Sequence, residues 1–365
     1  MSNYKIGCDA HRRFSQFAIL DANGQFLEQV RVNHEPGAIL NFLAEYPPGT
    51  PVALESVGNW YWIVDEIEEA GCVPLMAHAA KAKVMMGNVN KTDKLDAQGL
   101  ATLLHLGSLP SVWLPPHEIR DERELHRTRM ALSRIRTSLK NRVHSTLAKY
   151  ALSLDTASDI FSPKWRPELT IACNALPPET RRCMEQHLRA LDHVQSQINE
   201  LEERIKQRVE ATPNIQLLKT LPGVANILSI VIEREIGDVN RFPSSAQFAS
   251  YSGTVPTVKG SGGKIRYGRL RKQSNQYLKW AFIEAANVVV RQRRHPNWRS
   301  KHVTILFERI RRRKGHSIAV GAVARHLSEA AYWMLRKQEP YKDPARQEVY
   351  RDKGQRGPNM VNVKP

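Results

Sequence analysis

Apolar residues in the first third of the chain alternate between two spacings, which predict short strands and helices in turn. Strands are predicted over residues 4–10, 14–20, 25–32, 52–55 and 73–77. Helices are predicted over residues 36–46, 59–70 and 92–105. Asn23-Gly24 favours a tight turn between the second and third strands. This order of three antiparallel strands, helix, strand, helix, strand and helix is typical of an RNase H-like α/β fold.

Two longer helical patterns follow the prolines at positions 110, 115 and 116. Apolar residues recur at steps of three, four and seven over 118–151, and at alternating steps of three and four over 181–211. The second pattern is the seam of a coiled coil, so these helices are predicted to pair with each other or with another subunit. One face of the first helix could also touch nucleic acid through Arg120, Arg123, Arg127, Arg129, Arg134, Arg136, Lys140 and Arg142.

These patterns predict four regions. Residues 1–112 form the RNase H-like domain, and residues 113–212 form a helical coiled-coil arm with a proline-bearing linker at 155–178. Residues 213–337 form a mainly helical C-terminal domain with one Gly-rich loop. The polar segment 338–365 is predicted to be a mobile tail.

Composition narrows the class of protein. The 365 residues include 41% hydrophobic residues, which is enough for packed cores. The sequence has no apolar run long enough for a membrane span, no secretory pattern and no close pair among its four cysteines. We therefore expect a cytoplasmic protein with no membrane partner.

The net charge of +18 is unevenly distributed. Residues 1–110 contain 8 basic and 12 acidic residues, a local charge of −4, whereas residues 259–315 contain 17 basic and 2 acidic residues, a local charge of +15. A solvated basic face is one interpretation of the second window. The window also contains Tyr267, Tyr277, Trp280 and Trp298, which are suited to stacking on bases, so it favours nucleic-acid binding.

Four carboxylates share one pattern. Asp9 ends the first predicted strand, Glu55 ends the fourth, and Asp93 and Asp96 stand three residues apart on one helix face. In an RNase H-like sheet the first and fourth strands are neighbours and the last helix packs across them, so all four acids would converge. Converging carboxylates need a cation, and Mg²⁺ prefers such oxygen ligands. Taken singly, each acid is also explained as an ordinary strand-end or helix-start residue.

A serine lies among three glycines in the basic window. Gly260, Gly262 and Gly263 would let the backbone approach a phosphate closely, while the Ser261 hydroxyl could act as a nucleophile. Ser252 and Ser274 are competing serines, and the general base stays open. A flexible Gly-Ser turn is the alternative interpretation.

Leu221-Pro222-Gly223-Val224 resembles a helix-hairpin-helix turn that holds a DNA phosphate, although plain helix packing also explains it. The residues predicted to bind nucleic acid are Gly223, Lys259, Lys264, Arg266, Arg269 and Lys272.

Five motifs occur together in family order. They are Gly7-Cys8-Asp9, Leu54-Glu55-Ser56, Lys91-Thr92-Asp93-Lys94-Leu95-Asp96-Ala97, Leu221-Pro222-Gly223-Val224 and Gly260-Ser261-Gly262-Gly263. Over roughly residues 1–337 the chain resembles the DEDD-type serine transposases of bacterial insertion sequences, which are related to the pilin-gene invertases. The Lys-Thr-Asp-x-x-Asp-Ala segment and the serine-glycine loop are the specific parts of this resemblance.

The resemblance implies an N-terminal domain like that of Holliday-junction resolvases (RuvC-like), a coiled-coil arm and a C-terminal transposase domain. It implies that Asp9, Glu55, Asp93 and Asp96 hold Mg²⁺ and that Ser261 joins covalently to a DNA phosphate. It also implies donor and target DNA, a structured guide (bridge) RNA encoded by the element, and homodimers that assemble into homotetramers.

Three functions are therefore open. The leading one is a DNA recombinase that uses the metal site and Ser261. The second is a junction-resolving nuclease in which water is the nucleophile. The third is an architectural nucleic-acid-binding protein without chemistry, which the charge window alone would support.

Overall fold

The computed structural model describes residues 3–87, 92–152, 154, 159–208 and 212–344. The chain divides into two units, residues 1–116 and residues 117–365. The strands of the first unit are β1 (Lys5–Ala10), β2 (Phe14–Leu20), β3 (Phe26–Asn33), β4 (Pro51–Glu55) and β5 (Val73–Ala77). Its helices are α1 (Ala38–Leu43), α2 (Trp60–Glu69), α3 (Ala79–Met86) and α4 (Asp93–His105).

The five strands form one sheet in the order β3-β2-β1-β4-β5. β1 pairs antiparallel with β2 and parallel with β4, and Cys8 stands opposite Leu54 in the parallel pair. β3 pairs antiparallel with β2, and β5 pairs parallel with β4, so β2 alone runs against the other strands of this sheet. The α/β class is confirmed, and this order is compatible with an RNase H-like domain.

Alternation along the strands puts different residues on the two faces of the sheet. Ile6, Cys8 and Leu54 are buried in one core together with α1 and α2. Ala53 points to the other face, into a core shared with Leu100 of α4 and residues of α3. Helices therefore cover both faces, as the apolar character of β1 and β4 requires.

Two details of this unit differ from the sequence predictions. Helix α3 was not predicted, because its sequence has no clear apolar periodicity. The helical spacing of Leu95, Leu100, Leu103 and Leu104 predicts that all four lie on the apolar side of α4, but Leu95 is 38% exposed. The buried face of α4 instead contains Ala97 and Ala101, small residues that allow the helix to lie close to the sheet.

The second unit is mainly helical. Its helices are α5 (His117–Lys149), α6 (Arg166–Asn174), α7 (Pro178–Arg208), α8 (Pro213–Lys219), α9 (Asn226–Ile236), α10 (Ser245–Tyr251), α11 (Gln276–Gln292), α12 (Pro296–Arg299), α13 (His302–Lys314) and α14 (His316–Lys337), with a short 3-10 helix at Val239–Arg241. Its strands are β6 (Pro256–Ser261) and β7 (Lys264–Leu270). Residues of α8–α11, α13 and α14 share one buried core.

The long helices α5 and α7 pack against each other. Arg129 pairs with Glu202 at 2.6 Å, and Arg136 donates to Gln195 at 2.9 Å. The two helices are therefore antiparallel. The predicted pairing is therefore made within one chain. A coiled-coil supercoil stays a prediction.

The sequence suggested that the arginines of α5 could contact nucleic acid, but several of them are buried. Arg120 and Arg123 are 2% and 5% exposed, because the first half of α5 packs against α9 rather than facing solvent. Ile135, one of the apolar residues that recur at helical spacing over 118–151, is 49% exposed. The apolar face of α5 is therefore interrupted near Ile135. It resumes at Val143 and Leu147, which pack with Met184 and Leu188 of α7.

Part of the predicted linker at 155–178 is helical, since α6 packs on α7 through Leu169 and Cys173. Residues 153 and 155–158 of that segment lie outside the described residues, as do residues 345–365 of the predicted tail. Among the described residues, no helix is long and apolar enough to cross a membrane.

The predicted Gly-rich loop is a β-hairpin. β6 and β7 pair antiparallel, with Ser261 opposite Lys264. Gly262 and Gly263 have φ values of +54° and +73°, and positive φ at both central residues is what a two-residue hairpin turn of the favoured type requires. The glycines therefore form a tight turn, not the loop expected from their number.

Candidate active site and nucleic-acid interface

Asp9 and Glu55 lie side by side at the ends of neighbouring parallel strands. Because Cys8 stands opposite Leu54, the next residues, Asp9 and Glu55, are at the same level of the sheet. Alternation puts both on the face that carries Gly7 and Ala53, which is the face covered by α4. The sheet thus directs these two acids towards the start of α4.

Gly7 allows α4 to approach β1 very closely. A Cβ atom at Gly7 would lie 2.1 Å from the carbonyl oxygen of Ala97 and 2.6 Å from the backbone nitrogen of Ala101. No side chain fits in that space, so glycine is required here for contact rather than for backbone freedom. The close approach brings the first turn of α4 to the end of β1.

The first turn of α4 carries the other two predicted acids. Thr92 caps the helix, its hydroxyl accepting the Leu95 N–H at 3.3 Å, and Asp93 and Asp96 follow within the first turn. Gln29 of β3 donates to the carbonyl of Lys94 at 3.0 Å, which ties this turn to the sheet. Lys91, which begins the sequence motif, lies outside the described residues.

His11 is a site residue that the sequence analysis missed. Its Nε2 lies 3.1 Å from Oδ2 of Asp9 and 3.3 Å from Oδ2 of Asp93, so it bridges the strand acid and the helix acid. Asn59, at the start of α2, donates to the His11 carbonyl at 2.9 Å and holds the turn after β1 in place. The signal in the sequence is a histidine two residues after the strand-end aspartate.

The electrostatics of Asp9 reflect this crowding. Burial raises the pKa of Asp9 above its usual value, the His11 ring opposes that rise, and the charges of Asp96 and Asp93 add to it. The charges of Asp96 and Asp93 act on Asp9 because the first turn of α4 lies beside the end of β1. The structure therefore brings Asp9, Asp93 and Asp96 together and puts Glu55 beside Asp9 on the same face.

Such a group is suited to a cation. One ligand atom each from Asp9, His11 and Asp93 lie within 4.8 Å of one another. Burial and the nearby charges of Asp96 and Asp93 both disfavour the ionised form of Asp9, and a divalent ion would offset both effects. Carboxylate oxygens are also the ligands that hard cations prefer. The donor set therefore fits a divalent metal.

The serine lies on a two-faced hairpin in the second unit. Residues opposite each other in an antiparallel pair share a face, so Ser261, Lys264, Lys259 and Arg266 lie together on one face. The other face carries large apolar side chains that are 58–69% exposed: Val258, Ile265 and Tyr267. Ser261 therefore stands in a basic, exposed setting.

The competing serines are placed differently. Ser252 is fully buried, and its hydroxyl has no hydrogen-bond partner among the described residues. The Ser274 hydroxyl donates to the carbonyl of Arg271 at 3.3 Å and lies against Gly253. Ser261 is the most open of the three to a DNA phosphate. Arg269 and Lys272 lie beyond an irregularity in the hairpin pairing, near its base.

Gly223 has a packing role in the structure. Its φ is +84°, and a Cβ there would lie 2.2 Å from the carbonyl oxygen of Ala285 in α11. Leu221 and Val224 on either side are buried. Helix packing thus accounts for the glycine, and its predicted contact with a phosphate stays a prediction.

A buried ion cluster, also missed from the sequence, fixes α5 to the C-terminal helices. Glu235 of α9 is fully buried and accepts hydrogen bonds from His126 at 2.9 Å and from Arg127 at 2.8 Å, while Arg123 lies 3.6 Å away. Asn275, which caps α11, also donates to Glu235 at 2.8 Å. Burial alone would raise the pKa of Glu235, but these donors outweigh it and hold that pKa well below its usual value.

Comparisons with known proteins agree with this arrangement. Residues 215–303 match the family described as "Transposase IS116/IS110/IS902 family", and residues 6–152 match the DEDD transposase domain of IS110 elements. A "Probable family 20 transposase" of Pseudomonas aeruginosa is 26% identical, over 80% of this chain and 85% of its own length. The transposase for insertion sequence element IS1328 of Yersinia enterocolitica is 24% identical, over 70% of this chain and 75% of its own.

The two matched regions together cover more than half of the chain and include both the acidic site and the serine hairpin. Transposases with the DEDD domain usually use a divalent metal ion, in keeping with the acidic cluster around Asp9. They act on DNA, which they cut and rejoin. The chain belongs to the IS110/IS116/IS902 family of transposases.

Proposed function

We propose that this transposase recombines DNA with two chemical groups, a Mg²⁺ site made by Asp9, Glu55, Asp93 and Asp96, and a nucleophilic hydroxyl on Ser261. The observation that carries the proposal is the gathering of strand-end and helix-start acids on one face of the sheet, around His11. The basic face of the hairpin around Ser261 supports the second part.

The four acids hold and orient the cation in this proposal. When bound, Mg²⁺ supplies Lewis-acid stabilisation of charge on phosphate oxygens. Gly7 keeps α4 close enough for Asp93 and Asp96 to share the ion with Asp9. His11 positions the carboxylates of Asp9 and Asp93 through its contacts at 3.1 and 3.3 Å.

Ser261 cuts the strand by transesterification. The Ser261 hydroxyl gives up its proton as Oγ forms a bond to phosphorus, the P–O bond to the departing strand breaks, and the departing oxygen takes up a proton, so that no net proton is consumed. The ester keeps the energy of the broken phosphodiester, so attack by a new strand hydroxyl on the phosphoserine rejoins DNA and releases Ser261. Lys259, Lys264 and Arg266, on the same hairpin face, neutralise phosphate charge near the serine.

A guide RNA and a tetramer complete the proposal. They are supported by the five motifs in family order, which resemble those of RNA-guided recombinases that assemble as paired dimers. Sequencing the RNA that co-purifies with the protein from its host tests the first point. A discrete RNA mapping beside the gene of the transposase is expected, and random cellular RNA would contradict it.

The experiment that tests the metal part is cation-dependent cleavage of DNA by full-length protein. Asp9→Asn and Glu55→Gln should abolish cleavage, whereas Glu69→Gln, on the exposed end of α2, should leave it unchanged. Cleavage that survives in both site variants would contradict the proposed site. A nuclease that uses water remains the second candidate, because the acidic site alone would support it; such an enzyme would cut DNA equally well in Ser261→Ala.

A further inference from the structure

A strongly basic cleft lies in the second unit, among residues 293–313. It has a volume of about 860 Å³ and is bounded by the end of α11, by α12 and by α13. Seven arginines line it, against one acid, Glu308, so the lining carries a charge of +6. The β6–β7 hairpin, at 256–270, contributes no residue to this lining.

Glu308 organises part of the cleft. Its carboxylate lies 2.9 Å from Nη2 of Arg311 and 3.5 Å from Nε of Arg293, so it ties the end of α11 to α13. Five other lining arginines form no ion pair among the described residues: Arg294, Arg299, Arg309, Arg312 and Arg313. All five are exposed. These guanidinium groups are therefore available to an anionic ligand.

Helix ends explain only some of this charge. Cations favour the last turn of a helix, where they offset its dipole, and Arg311, Arg312 and Arg313 lie in the last turn of α13. Arg309 lies before that turn, and Arg299 belongs to a different helix. The arginines of separate elements thus converge on one cleft beyond what the dipole of α13 accounts for.

Thr304 places a buried hydroxyl at the wall of the cleft. It lines the cleft and is 3% exposed, yet its hydroxyl has no hydrogen-bond partner among the described residues. Buried hydroxyls are nearly always paired, so the Thr304 oxygen, itself enclosed, marks a polar position at the wall of the cleft.

We propose that this cleft binds the phosphate backbone of the DNA on which the transposase acts. Guanidinium groups fit phosphate oxygens in pairs, and a row of them neutralises successive phosphates without reading sequence. DNA is chosen over other polyanions because it is what transposases of this family cut and rejoin. The inference rests on DNA recombination in the proposed function, but not on Ser261 or on the acidic site.

The test is binding of full-length protein to a short labelled DNA duplex of arbitrary sequence, measured by fluorescence anisotropy over a range of salt concentrations. The double variant Arg309→Ala/Arg312→Ala should bind about tenfold or more weakly at low salt, with a salt slope lower by about two units, one for each lost phosphate contact. Arg182→Ala/Arg189→Ala removes two exposed arginines of α7 and should change neither quantity.

A third variant distinguishes loss of charge from misfolding. Arg309→Lys/Arg312→Lys keeps the charge, so it should keep the salt slope while losing part of the affinity of the paired hydrogen bonds. Equal losses in the α7 control, or an unchanged affinity and salt slope in Arg309→Ala/Arg312→Ala, would overturn the proposal. In Ser261→Ala, duplex binding should be unchanged, so failure of the serine chemistry and failure of the cleft are separate results.

Discussion

Gly7 of β1 lies directly beneath Ala97 of α4, so that a Cβ on Gly7 would come within 2.1 Å of the Ala97 carbonyl oxygen. This contact sets how close Asp93 and Asp96 come to Asp9. The packing of α4 on the sheet therefore affects the chemistry of the site, because a small increase in the distance between α4 and the sheet would separate the acids.

Gly7→Ala should therefore disturb the site as well as the fold. The added methyl group must push α4 away, which is expected to cost about 1–3 kcal/mol of unfolding free energy in urea titrations. The rate of DNA cleavage should fall by more than the loss of folded protein accounts for, since metal ligands must be placed accurately relative to one another. Gly58→Ala, where the structure leaves open space, is the matched control and should change neither.

Neutralising the acids should weaken cation binding. Asp9→Asn and Asp93→Asn each remove a charged oxygen ligand, so calorimetric titration with Mn²⁺ should give much weaker binding than in the unmodified protein. Glu69→Gln is exposed on α2 and should bind as the unmodified protein does. Identical titrations for all four proteins would place the metal elsewhere.

His11→Ala tests whether the histidine helps to hold the carboxylates. Losing the bridge between Asp9 and Asp93 is expected to reduce Mn²⁺ affinity about 10–100-fold, as for other groups that orient metal ligands. The effect should appear in Mn²⁺ titrations without DNA, while duplex binding stays the same. Affinity that rises on removal of the ring would instead identify His11 as a competitor of the cation.

Acid should destabilise the second unit through Glu235. Because its folded-state pKa is lowered, its stabilising effect is complete above the unfolded value near 4.5 and is lost as the pH falls below it. At neutral pH, Glu235→Gln should cost about 3–5 kcal/mol in urea unfolding, since Arg123 and Arg127 lose their charged partner.

The free energy of unfolding of Glu235→Gln should also vary less with pH below about 4.5 than that of the unmodified protein. Glu124→Gln, exposed on α5, should behave as the unmodified protein. A Glu235→Gln protein with unchanged stability would show that the buried cluster contributes little.

The sequence predicted the sheet and its acids because strand ends and helix starts are local patterns. It indicated His11 only weakly, since a single histidine two residues after a strand-end aspartate carries no periodicity. Nor could it predict that Glu235 pairs with His126, 109 residues away, because such contacts depend on how α5 packs on α9. The glycines around Ser261 suggested a loop, but the φ values of Gly262 and Gly263 make it a hairpin.

The most direct test of the proposed chemistry is the covalent protein–DNA adduct. Recombination reactions with labelled DNA, stopped with denaturant and resolved on denaturing gels, should give a protein-linked band that Ser261→Ala abolishes while duplex binding is retained. Ser252→Ala, at the buried competing serine, should keep the band. An adduct that persists in Ser261→Ala would contradict the proposal that this serine is the nucleophile.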